Sequence, residues 1–120
     1  MTPLNVAQAF TRAWTSQDFD TARQYVDEDV IFDGPMQHST GAEAYFTGLT
    51  GLSKSVKELR MIAAFGDDDT ALLMYDLVTD PYGVLTCAKL ISVRNGKIVE
   101  DRLTFDSFII RNFNAAPATR

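Results

Sequence analysis

Around Val56 the apolar residues of this chain change their spacing from that of a helix to that of a strand. A chain that places its helices first and its strands later cannot alternate helix and strand as a parallel sheet requires. It must form an α+β fold, with helices gathered on one face of a mainly antiparallel sheet. Three turn signals divide the second half into four strands: Gly66-Asp67-Asp68-Asp69, Asp80-Pro81-Tyr82-Gly83 and Asn95-Gly96. Asn-Gly tolerates the positive φ angles of a tight hairpin, and Asp-Pro-x-Gly suits a type I turn with proline at its second position. The four strands should therefore follow one another as a meander.

The first half reads as three helices. Thr2 is placed to cap the first, Pro3 suits its opening position, and Val6, Phe10 and Trp14 recur on one face. Asp18 should cap a short second helix whose Phe19, Ala22 and Val26 line one side, ending in an acidic turn at Asp27 to Asp29. A brief strand, Val30 to Asp33, is stopped by Gly34 and Pro35. Thr40 and Glu43 have the spacing of a capping box for a third helix carrying Ala42, Tyr45, Phe46, Leu49 and Leu52. With 120 residues, 46% of them hydrophobic, one domain over residues 1–113 can bury a core, leaving 114–120 as an expected frayed tail.

Composition removes several function classes. The single cysteine, Cys87, permits no internal disulfide, and no Cys or His lies near it at metal-ligand spacing. Cys87 sits in an alternating strand and reads as a small core residue. No metal and no organic cofactor is expected, since Gly48 and Gly51 fall within a helical pattern rather than a phosphate-cradling loop. A net charge of -5 disfavours nucleic acid and anionic lipid as partners. No apolar stretch reaches the length of a membrane span and no leader pattern opens the chain, so the expected location is the cytoplasm.

Four segments resemble the nuclear-transport-factor-like superfamily, which includes ketosteroid isomerases, limonene-epoxide hydrolases and SnoaL-like polyketide cyclases. They are Trp14 to Tyr25 (WTSQDFDTARQY), Asp27 to Pro35 (DEDVIFDGP), Thr40 to Ala44 (TGAEA) and Ser92 to Ile98 (SVRNGKI). The resemblance spans nearly the whole chain and implies a cone: a strongly curved sheet and three helices enclosing a cavity. It also implies a small apolar molecule inside the cone and a homodimer formed through the outer face of the sheet. The expected apolar wall comprises Phe10, Trp14, Ile31, Tyr45, Tyr75, Leu103 and Phe105. Because functions vary widely on this fold, the site residues must carry any functional argument.

Asp33 is the first candidate. It lies two positions from Ile31, so alternation aims both at one face. If that face is the cavity, a desolvated carboxylate there could act as a general base next to a carbonyl, and its position matches the proton-shuttling aspartate of ketosteroid isomerases. The competing reading is a turn-organising aspartate at Asp33-Gly34-Pro35. In those isomerases a tyrosine and an aspartic acid, kept neutral by its apolar site, form the oxyanion hole. Neither has a direct counterpart here, as their places fall at about Phe10 and Ala88. Tyr25, Tyr45 and Tyr75 are substitutes in principle.

The carboxylate-arginine-carboxylate pattern of limonene-type hydrolases is also broken, with Met74 where a cation is wanted before Asp76, and Leu103 at the second acid. Asp101 shares a strand face with Leu103 and Phe105, as a cavity acid would. The alternative, favoured because most carboxylates are exposed, is an edge position paired with Lys97 or Arg102. His38, the single histidine, lies in a loop with a side chain suited to acid-base work. Two functions follow: proton transfer on a small apolar carbonyl compound by an isomerase or cyclase, or non-catalytic binding or dimerisation with the same cavity.

Overall fold

The computed structural model describes residues 1–115. Its elements run α1 (Pro3–Thr15), α2 (Phe19–Arg23), β1 (Val26–Asp33), β2 (His38–Thr40), α3 (Ala42–Ser53), β3 (Val56–Gly66), β4 (Thr70–Thr79), β5 (Gly83–Arg94), β6 (Lys97–Phe105) and α4 (Phe108–Ala115). The six strands form one curved sheet in the order β2-β1-β6-β5-β4-β3. All neighbours are antiparallel except β1 and β6, which run parallel. The meander from β3 to β6 is the one expected from the turn signals, and the α+β cone is present.

The caps show how local chemistry sets the helices. Thr2 Oγ1 accepts from Asn5 N and Pro3 opens α1, while the Asp18 carboxylate accepts from Thr21 N to start α2. The third helix differs from expectation. Its N-cap is Gly41 at φ 100°, with no side-chain cap bond, because Thr40 is drawn into β2 opposite Ile31 and Gly41 N donates to Val30 O. A side chain at Gly41 would be strained by that backbone angle.

Three further differences have physical causes. Asp27 to Asp29 form strand rather than a turn, since Val26 and Val30 turn inward and Val26 pairs with Ile98 of β6. The short β2 is polar and has no apolar period to reveal it. Helix α4 is an addition to the expected elements; Phe108, Ile109 and Phe113 stay exposed and, among its described side chains, only Ile110 is buried, so it lacks the apolar stripe of a core helix. Asn114 and Ala115 belong to that helix rather than to a frayed tail, and 116–120 lie outside the described residues. The Asp80-Pro81 bond is cis, and Asn95 and Gly96 both have positive φ, as their hairpin requires.

The core lies between α1 and the concave face of the sheet. Val6, Ala7, Phe10, Ala13 and Trp14 of α1 meet Ala71, Leu73, Tyr75 and Leu77 of β4 and Leu85, Cys87 and Ile91 of β5. The inward residues of β4 and β5 follow the strand period of two. The convex face carries a different set, including Phe65 (69% exposed), Leu72, Met74, Val84 and Leu90. Among the described residues no helix is long and apolar enough to cross a membrane.

Candidate functional site

A cavity of about 590 Å³ opens between α3, β1, β6 and α4. Phe32, Tyr45, Leu49, Leu52, Leu103, Phe105 and Ile110 supply apolar wall, while Gln37, Lys54, Ser55 and Asp80 bring polar groups to it. Helix α4 covers one side: Ile110 is buried, Phe113 meets the ring of Tyr82 edge-on at 5.6 Å, and the Arg111 guanidinium donates to the Pro35 carbonyl. A volume of this size suits a small organic molecule.

Alternation on two antiparallel strands builds the polar group beside this wall. On β5, Leu85, Cys87, Lys89 and Ile91 face inward, and on β6 so do Asp101, Leu103 and Phe105. Lys89 stands opposite Leu103 and Asp101 opposite Ile91, so the lysine and the acid are diagonal neighbours on the concave face. Their side chains are each only 1% exposed, with Lys89 Nζ 3.2 Å from Asp101 Oδ2. The Lys89 ammonium also lies 5.6, 5.9 and 5.7 Å from the ring centroids of Phe10, Trp14 and Tyr75. Aromatic faces at that range attract a cation.

Tyr45 joins this buried pair to the cavity. Helical spacing puts Tyr45, Leu49 and Ser53 on one side of α3, and the Tyr45 hydroxyl donates to Asp101 Oδ2 at 2.5 Å. The same tyrosine lines the cavity and packs against Phe10 (5.8 Å) and Phe32 (5.4 Å). Burial first, then the Asp101 charge, pushes the Tyr45 phenol well above its ordinary pKa, so it holds its proton. Burial does the same to Tyr75, followed by Cys87 and Asp101, and raises the Cys87 thiol to about 11. Asp101 Oδ1 and Trp14 Nε1 are buried without a hydrogen-bond partner among the described residues.

The residues expected from the sequence fall into separate places. Ile31 and Asp33 do share a face, but it is the outer one: Val30 and Phe32 point inward, Ile31 is 49% exposed and the Asp33 side chain 44%. Asp33 Oδ1 lies 2.8 Å from His38 Nδ1, its partner in the β1-β2 ladder, and His38 is itself 78% exposed. Neither lines the cavity. Asp101 departs from the edge position paired with Lys97 or Arg102; it is wholly buried on Lys89, while Lys97 reaches the Gln24 carbonyl. Tyr45, Leu103 and Phe105 line the cavity, whereas Phe10, Trp14 and Tyr75 lie behind it around Lys89 and Ile31 lies outside. Met74 and Asp76 do not reach the cavity either; Asp76 accepts from Thr86 Oγ1 at 2.6 Å.

Lys89 is the site residue that sequence reasoning misses, although a lysine at an inward position between Cys87 and Ile91 is itself a signal. No cluster of three or more His, Cys, Asp or Glu side chains suited to a metal ion occurs among the described residues.

Residues 7–101 match the SnoaL-like domain. The chain belongs to that family. A solved structure from Kribbella flavida is similar to this SnoaL-like chain at 34% identity and a TM-score of 0.90, covering 94% of this chain and 93% of that one. An NTF2-like protein of unknown function from Cytophaga hutchinsonii is similar at 20% identity and TM-score 0.78, covering 92% and 96%. An LEH-like epoxide hydrolase of M. tuberculosis is similar at 20% identity and TM-score 0.75, covering 94% and 92%. The last two likenesses, at such low identity, are likenesses of fold. No curated protein sequence matches the chain significantly.

Proposed function

We propose that this SnoaL-like chain holds a small, mostly apolar molecule in the cavity and exchanges a proton with it through Tyr45, Asp101 and Lys89. The observation that carries the reading is the double position of Tyr45, which lines the cavity and donates to a carboxylate held by a buried lysine. In the forward step a ligand O–H gives its proton to Tyr45 Oη as the Tyr45 proton moves to Asp101 Oδ2. The ligand oxygen becomes an anion, Asp101 becomes neutral, and Lys89 balances the charge. The enol of a carbonyl compound is the matching substrate. Its enolate takes a proton at carbon from water, the hydroxide so formed takes the proton back from Asp101 through Tyr45, and the ketone leaves. The activity is therefore of isomerase or cyclase type, and its reverse exchanges the hydrogen next to the carbonyl. The proton carrier proposed is the Tyr45-Asp101 pair, because Asp33 does not reach the cavity wall.

Deuterium exchange next to the carbonyl of a bicyclic aromatic ketone, followed by NMR in deuterium oxide, tests the reading. Exchange that is abolished in Asp101→Asn while ketone binding persists supports it. Binding without exchange in the unaltered protein refutes proton transfer and supports the second reading, a non-catalytic binding module, which the apolar stretch of Phe32, Leu49, Leu103 and Phe105 also suits.

We further propose that two copies pair through the convex sheet face, because Phe65, Leu72 and Leu90 stand side by side in register across β3, β4 and β5 and are exposed. Sedimentation showing monomer alone at high concentration would overturn this. The cytoplasm is the proposed compartment, as the buried free Cys87 needs no oxidising environment.

A further inference from the structure

Hydrogen bonding at the inner wall of the cavity has a direction. A phenol has one hydrogen to give, and Tyr45 gives it to Asp101 Oδ2. An ionised carboxylate only accepts, and Asp101 Oδ1 has no partner among the described residues although the residue is wholly buried. The donor on the opposite side, the Lys89 ammonium, is committed to Oδ2 and enclosed by Phe10, Trp14 and Tyr75. Lys89 is also absent from the cavity lining. What remains for an arriving molecule is one acceptor, Tyr45 Oη; Asp101 lies behind it and, like Lys89, is absent from the cavity lining. The rest of the nearby wall is Phe32, Leu49, Leu103 and Phe105, which offer no side-chain hydrogen bond at all.

Resting on the proposed function above, we infer that the cavity selects ligands by a hydrogen-bond donor, taking the hydroxylated form of an apolar molecule (a phenol, an enol or an alcohol) in preference to the corresponding ketone or ether. An acceptor atom at this wall would face the oxygen of Tyr45 with no hydrogen between them. To receive a hydrogen bond here it would need Tyr45 to turn its hydroxyl away, leaving the buried carboxylate with Lys89 as its one partner among the described residues. Leaving a buried polar group short of a partner is costly, which is the physical origin of the selection. The same logic makes sites built around a substrate hydroxyl reject analogues that lack it far better than apolar pockets reject a methylene.

Three probes of one shape separate the possibilities: naphthol, naphthalene and methoxynaphthalene, each titrated by calorimetry into the unaltered chain and into Tyr45→Phe. The expected result is naphthol binding about tenfold more tightly than the other two, with the preference lost in Tyr45→Phe. Retained naphthalene binding by the variant shows that its fold and cavity are intact. Equal binding of all three probes overturns the donor inference while leaving the apolar cavity reading standing, and is the outcome expected if water alone satisfies Asp101 Oδ1. Tighter binding of methoxynaphthalene also overturns the inference, since it would mean that Tyr45 donates outward. Failure of all three to bind overturns both the inference and the reading beneath it.

Discussion

Replacing Lys89 with methionine keeps most of the side-chain volume and removes the cation from a carboxylate that is 1% exposed. The remaining carboxylate would keep one donor, Tyr45, on Oδ2 and none on Oδ1. Breaking a buried ion pair from one side in this way costs about 3–5 kcal/mol. A domain of this size is stable by roughly 5–15 kcal/mol, so the loss is a large share of the total. With a urea slope of about 2 kcal/mol per molar, the unfolding midpoint should fall by roughly 2 M. Urea unfolding at neutral pH, followed by far-ultraviolet circular dichroism, reads it directly. The double variant Lys89→Met with Asp101→Asn removes both charges and should recover most of the loss, because the cost lies in the uncompensated charge rather than in the missing pair. A loss under about 1 kcal/mol for Lys89→Met, the behaviour of an exposed pair, would refute this reasoning by showing that water reaches the site.

Two further outcomes follow from the same geometry. Tyr45, Tyr75 and Cys87 all titrate higher in the folded chain than when unfolded, so the unfolded chain loses protons first and stability should decline as pH rises from about 9; phenolate absorbance from Tyr45 and Tyr75 should appear only with unfolding, and its appearance in the folded protein near pH 10 would contradict their burial. Asp33→Asn, at an exposed partner of His38, should change stability by less than about 1 kcal/mol and leave ligand binding and proton exchange intact, whereas loss of exchange would return Asp33 to the mechanism.

The second half of the fold was legible because each of its turns has its own chemistry. Asp67 accepts from Asp69 N, Thr70 N and Thr70 Oγ1, which also holds its carboxyl below the usual range, and Asn95-Gly96 closes its hairpin with two positive φ angles. The first half was harder because pairing partners distant in sequence decide it: β1 extends back to Val26 only by lying parallel to β6, and Gly41 rather than Thr40 opens α3 because β2 pairs with β1.

Alternation places Ile31 and Asp33 on one face, but it does not say which face is inside. That choice depends on the whole sheet, and Val30 and Phe32 take the concave side. On β6 the same rule groups Asp101 with Leu103 and Phe105, which is where the site forms. Its lysine partner sits on another strand, and spacing along one strand cannot show a diagonal pair. Tyr45 was legible as a wall residue, yet its bond to Asp101 spans 56 positions and exists only in the fold.

Whether Tyr45 and Asp101 meet the ligand can be read by carbon NMR of the protein labelled at the tyrosine ring and aspartate carboxyl positions, titrated with naphthol. The Tyr45 ring carbon bearing the hydroxyl and the Asp101 carboxyl carbon should shift together and saturate with binding, while the Asp33 carboxyl stays where it was. Shifts at Asp33 with none at Tyr45 and Asp101 would place the ligand on the outer edge of the sheet and contradict proton exchange through the buried pair.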